Sequence, residues 1–401
     1  MWSRSRSTGL WRVRPVACVA LAIAVTVTAS ASAPAQQPPS QPSSPPPQPP
    51  PPSSSGTVHS DQLWPIKTRE HVDLWLHGFA LVQDDSARVP LFRRSYRDDM
   101  TVMKNKANVF TKLDANHDQL HARFAANRNL TNAQFLAIET GSWEELKQTV
   151  SAFLKANGDP NHAKNRQMAG MVARMAAYFP TASDRDWLQL FVASLDDERE
   201  HYYHAYWVEQ QLARRPVLAT VDSLWQRVER PRLQRFLNDT EQPTGDLLLS
   251  LPLGAEGRTE QASKHNNIVA VEFPDSSGRA IEAIYVFAHE AVGIVAAAAI
   301  NDNITPAQRR AGLGAQYSSA AAVRGGLMLL ERTAPDLADG YCRFYLDEAN
   351  VPIRAASVTG ATGSGVSPTV SPKSALEAAF PLPDIFRDGI AKQLDVVIGG
   401  I

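Results

Sequence analysis

Cysteine is nearly missing from this chain, with two among 401 residues, Cys18 and Cys342. Cys18 falls in a segment read below as a removed leader, so the mature chain keeps one thiol and no internal disulfide. Such a fold must stand on its hydrophobic core, which roughly 340 residues can supply. Net charge is also scarce. The formal value is −1, and removing the four leader arginines takes it to about −5. Mild acidity spread over this length argues against a nucleic-acid partner and against an anionic membrane surface. No internal repeat is present, and no G-x-S-x-G elbow marks a serine nucleophile. The glycines at 360, 363 and 365 are not followed by the lysine of a phosphate loop.

The first sixty residues carry targeting information. Arg4, Arg6, Arg12 and Arg14 precede a short apolar run at 16–28, and A-x-A patterns end at Ala31 and Ala35. This is the pattern of a secretory signal peptide, with cleavage expected after Ala35. Cys18 lies at the start of the apolar run rather than after it, so no lipid anchor is expected. Residues 36–60 are rich in proline, serine and glutamine and read as an extended tether. The expected localisation is export to a periplasm or the exterior. Asn129, Asn238 and Asn303 open glycosylation sequons.

Residues 61–240 read as a helical N-terminal lobe. An apolar stripe at 71–83 is flanked by His71 and His77, read as helix-edge histidines. Residues 96–127 read as one long amphipathic helix. Ser142 with Glu145 forms a capping box. Residues 184–214 read as a long helix rich in aromatics from Trp187 to Trp207. Such aromatics are core if buried among helices and a contact surface if they line a groove. Residues 241–401 read as an α+β lobe, with strands at 246–251 and 267–273 around a polar loop at 254–264. The fold class expected is mainly α (α+β): a helical array with a small sheet preceding a buried central helix. The two lobes form one cooperative unit, because no linker separates them.

That central helix, at 281–303, is long, apolar and almost uncharged, yet carries His289 and Glu290. Unpaired polar groups in an apolar setting cost a few kcal/mol. The same two residues on a membrane-spanning helix would lie in lipid, so no integral membrane segment is expected after leader cleavage. Two strands, a turn and a helix bearing His-Glu resemble the arrangement of HExxH zinc metallopeptidases of the gluzincin group, over about 246–331. The resemblance implies a sheet beside a cleft, His289 as a zinc ligand, Glu290 as the general base and Glu331 as a further ligand. Gly293 stands where the second histidine belongs, and glycine has no donor atom. Zinc is the cofactor the resemblance implies, and an incomplete site without bound metal is the stronger expectation. Either a remote residue completes the site, or the chain keeps the scaffold and has lost the metal. The alternative for the pair is structural: His289 bonded to a backbone carbonyl, Glu290 paired with Arg324 or Arg332, and Gly293 serving close helix packing.

Other motifs read more plainly. Glu198-x-x-His201, with His204 beyond it, and the pair His117 and His121 have metal-ligand spacing. They are read as solvated charged faces of long helices. Cys342 is read as a packing residue. The functional expectation is a metal-dependent hydrolase or its inactive relative, acting on or binding a peptide or small molecule. The rival is a non-catalytic envelope binding or scaffold protein that uses the helical lobe.

Overall fold

The computed structural model describes residues 63–263, 266–352 and 371–399. They belong to one compact unit, Gln62–Ile401. The expected leader, the tether and nearly all of the loop at 358–372 lie outside the described residues.

The chain enters through strand β1 (Ile66–Lys67) and helix α1 (Glu70–Val82). Every residue of α1 from His71 onward is buried, so it is a central helix and not an amphipathic one. The expected single helix at 96–127 is three: α2 (Tyr96–Ala107), α3 (Lys112–Ala115) and α4 (His117–Ala126). Asn108 takes the left-handed conformation at φ 51° and ends α2, and a Thr111–Asp114 capping box opens α3. Asparagine tolerates that conformation better than most residues, which is why the break sits there. Helices α5 (Trp143–Lys155) and α6 (Arg166–Tyr178) follow, with the Ser142 hydroxyl accepting from the Glu145 N–H as expected. Helices α7 (Ala182–Glu198) and α8 (His204–Ala213) run on through a π-helical turn at Arg199–Tyr203. Helices α9 (Arg215–Leu224) and α10 (Arg230–Asp239) do the same through Trp225–Glu229.

Three further strands complete the sheet: β2 (Gly245–Ser250), β3 (Arg258–Ser263) and β4 (Asn266–Glu272). The order is β1-β2-β4-β3, parallel except for β3, which lies antiparallel to β4 at the edge. Leu247, Leu248 and Leu249 are all fully or almost fully buried, as are Val269, Ala270 and Val271. Parallel strands covered on both faces read as such continuous apolar runs. The segment expected as a polar loop at 254–264 contains β3. Its sequence, RTEQAS, is charged and polar, as an exposed edge strand tolerates and as protection against edge-to-edge pairing favours.

The apolar stretch divides into α11 (Glu282–Ala291) and α12 (Gly293–Asp302) at Val292. Ser277–Asp302 is long and apolar enough to cross a membrane, and 72% of its most apolar window is buried within the fold. Thr305 caps α13 (Pro306–Arg310), and α14 (Leu313–Thr333), α15 (Ala338–Glu348), α16 (Pro372–Ala379) and α17 (Asp384–Gly399) finish the chain. Helix α14 crosses α11 at Gly326, where a Cβ would lie 3.3 Å from His289 Cα. The architecture is mainly helical with one small mixed sheet. Because β1 joins β2, that sheet draws strands from both sides of the expected lobe boundary near 240.

Candidate functional site

The pattern of burial places α11 against β4 on one face of the sheet, and Thr259, on the same face of β3, turns toward it. His289 ends this helix on its inward side and Glu290 sits beside it. The His289 side chain is 5% exposed and that of Glu290 12%. Glu290 Oε1 lies 3.0 Å from His289 Nδ1 and accepts the Gly257 N–H at 3.3 Å. Glu290 Oε2 accepts the Thr259 hydroxyl at 3.4 Å. The carboxylate thus joins α11 to the start of the edge strand.

Gly257 makes that approach feasible. A Cβ there would lie 2.4 Å from the Ala270 carbonyl oxygen and 2.9 Å from Glu290 Cγ. The His289 ring stacks on Tyr345 of α15, with centroids 5.4 Å apart and planes at 25°. Tyr345 in turn donates to the Ala255 carbonyl at 3.1 Å. His289 Nε2 is buried and has no hydrogen-bond partner. Since an ionised carboxylate only accepts, Nδ1 is the donor of that pair.

One carboxyl near the pair was not legible in the sequence. Burial pushes Glu256 up to about 7, with His289 opposing the shift and Glu290 adding to it. Its segment is fixed from outside: the Glu256 N–H donates to Pro90 O at 3.0 Å, and Leu253 bridges Phe92. That tertiary pairing, 166 residues away in sequence, helps bring Glu256 beside α11, and no local signal announces it.

The remaining expected partners lie elsewhere. Glu331 is partly exposed and forms an ion pair with Lys373 of α16. Arg324 bonds Glu377, and Arg332 bonds Asp395. Neither arginine serves Glu290, whose partners are His289, Gly257 and Thr259. A Cβ on Gly293 would meet nothing within 4 Å. That glycine therefore does not serve close helix packing. Among the described residues no group of three or more His, Cys, Asp and Glu side chains converges as metal ligands would. The donor set does not fit a closed zinc site, which needs four ligands at about 2 Å.

A second polar cluster centres on the buried Glu198. Glu198 and His77 are both 0% exposed, with His77 Nε2 3.2 Å from Glu198 Oε1. Lys104 Nζ reaches Glu198 Oε2 at 2.8 Å and Asp114 at 2.6 Å. Burial works against the Glu198 charge, but the His77 and Lys104 contacts win and hold its carboxyl down at about 2. One turn earlier on α1, Asp73 accepts from Ser250 of β2 at 2.6 Å and from Trp207 at 2.9 Å. Burial pushes Asp73 up to about 7. Glu198 therefore does not lie on a solvated face, as its spacing with His201 suggested, and His77 is a core residue. His201 and His204 are exposed. His117 and His121 instead reach the last carbonyls of α1, Leu81 O at 3.2 Å and Val82 O at 2.9 Å. They cap the negative end of that helix.

The aromatics at 187–207 divide the same way. Trp187, Phe191 and Tyr203 are buried and stack among Phe79, Phe124 and Phe179 or against His77. They are core. Cys342 is buried, and burial pushes its thiol up to about 12, as a packing residue requires.

An open cleft of about 830 Å³ lies elsewhere on the sheet. Ile268 and Glu260 line it from β4 and β3, with the β1–α1 turn and the segment before α5 as walls. Its charged groups are mixed, Lys67, Arg69 and Arg174 with Glu70, Glu139 and Glu260.

Compared with known proteins, the chain matches no family model, no curated protein and no solved structure. The site is read from its own geometry.

Proposed function

We propose that the chain is an exported, tethered, non-catalytic binding or scaffold protein whose 246–331 region keeps a zincin-like arrangement without a working metal site. One observation carries this reading: both oxygens of the Glu290 carboxylate are engaged, by His289, Gly257 and Thr259. A general base must reach the water it activates, and this carboxylate, 12% exposed, is turned onto the edge strand. Glu290 instead fastens α11 to β3. The cleft of about 830 Å³ falls within the range of ligand pockets, and its mixed charges suit a peptide or small molecule bearing both signs.

A hydrolase reading retains one favourable observation, the buried and unpartnered His289 Nε2. Comparing Glu290→Gln with the parent chain separates the two. Under the binding reading the variant unfolds at lower temperature and neither chain holds near-stoichiometric zinc. Unchanged melting with near-stoichiometric zinc in both would support the hydrolase, in which Glu290 is the base and not a ligand.

A further inference from the structure

A cavity of about 490 Å³ lies between α5 and the start of α6, and it shares no residue with the mixed-charge cleft or with the His289 pair. Its α5 wall is built from Lys147, Gln148, Ser151, Ala152 and Lys155, positions that share one face of a helix. The side facing away carries the core residues Leu146, Val150 and Phe153. Short side chains, Ala152, Ala156 and Ala163, make the floor, and Met168 closes it. The result is a slot of predominantly apolar lining, open to solvent.

Every charged residue of the lining is basic, Lys147, Lys155 and Lys164, and His162 lies beside them. Lys147 is engaged by Glu144 at 3.0 Å and Asp196 at 2.8 Å, and His162 lies 3.9 Å from Asp159. Among the described residues Lys155 and Lys164 are in no ion pair, and both are exposed. In a chain of slightly negative net charge, a rim of one positive sign over an apolar floor is not the average surface. A neutral polar ligand would leave the floor unused, and a bare inorganic anion would use only the rim.

We infer that this slot binds an amphiphilic anion, a carboxylate or phosphate head group on an unbranched apolar chain. The head meets Lys155 and Lys164, and the chain lies along the alanines toward Met168. The volume is within the range of about 300–1,000 Å³ for small-molecule pockets. This does not depend on the reading of the His289 pair.

The test is calorimetric titration of the mature protein with sodium dodecanoate below its micellar concentration. Dodecyltrimethylammonium serves as the cationic control. The slot predicts saturable binding of one dodecanoate and none of the cation. It predicts at least a tenfold weakening in Lys155→Glu/Lys164→Glu, and no change in Lys106→Glu, which alters an exposed lysine of α2. Vesicles of phosphatidylglycerol against phosphatidylcholine distinguish a lipid head group from a free acid as the source. Circular dichroism confirms that the variants fold, as exposed lysines allow. Equal dodecanoate affinity in the double variant, equal binding of the cation, or no binding at all would overturn the inference.

Discussion

Glu290 Oε1 lies 3.0 Å from His289 Nδ1, and the same oxygen accepts the Gly257 N–H at the entrance to strand β3. Two neighbouring residues on an apolar helix thereby pair through Nδ1 and Oε1 and anchor the sheet edge. Removing one partner leaves the other buried and unpaired, which costs about 1–3 kcal/mol, more for a charged group. Glu290→Ala is therefore expected to lower stability by about 2–4 kcal/mol in denaturant titration. Amide exchange at 257–261 should accelerate with it. Unchanged protection of β3 would show that the carboxylate does not hold the edge.

The glycines of this region divide by what surrounds them. A Cβ at Gly257 would collide with the Ala270 carbonyl and Glu290, and one at Gly326 with the Tyr341 hydroxyl. Gly257→Ala and Gly326→Ala are expected to cost about 1–3 kcal/mol each, as overpacking does. Gly293, with open space around it, should tolerate Ala and gain up to about 1 kcal/mol from helix propensity. Thermal melting of the three variants checks the order.

The buried cluster of His77, Lys104 and Glu198 makes a larger demand. Glu198→Ala leaves His77 and Lys104 without their shared partner, while Lys104 keeps Asp114 at 2.6 Å, and breaking a buried pair costs up to about 3–5 kcal/mol. The loss should appear in chemical denaturation as a lower midpoint with an unchanged slope. A midpoint shifted by less than a fifth of that would mean the cluster is hydrated.

Stability should depend on pH in two opposite ways. Glu256 and Asp73 are raised by burial to about 7 from ordinary carboxyl values of 4.5 and 3.8. Each native carboxyl binds its proton more tightly than the unfolded one. Their contribution is complete below the unfolded values and is lost as pH rises through about 7. Glu198 is held down at about 2, so its contribution is present above 4.5 and lost as pH falls toward 2. The expected profile has its maximum near pH 4. Glu256→Gln should raise stability at pH 8 by about 1–3 kcal/mol and leave it nearly unchanged at pH 4, one pKa unit being worth about 1.4 kcal/mol. A gain equal at both pH values would contradict the assignment.

Much of the fold was legible because it is local. Ser142, Thr305 and Pro306 mark helix starts by chemistry confined to three or four residues, and the leucines of β2 and valines of β4 announce buried strands. What was hidden depends on distant partners. β3 looks like a loop because an edge strand is permitted polar residues. Glu198 looks solvated because its spacing with His201 is visible and its burial against His77, 121 residues away, is not. The same holds at the site. His289 and Glu290 stood out as polar residues in an apolar helix. Glu256 reaches them only through pairing with 90–93, and Glu331 was carried in by resemblance while its carboxylate is joined to Lys373.

The most direct measurement is the zinc content of the mature protein purified without chelator, by mass spectrometry, beside His289→Ala. Far less than one zinc per chain is expected in both, with the variant distinguished only by lower stability. Near-stoichiometric zinc in the parent and its loss in the variant would contradict it and make Glu290 a catalytic residue to be sought by substrate.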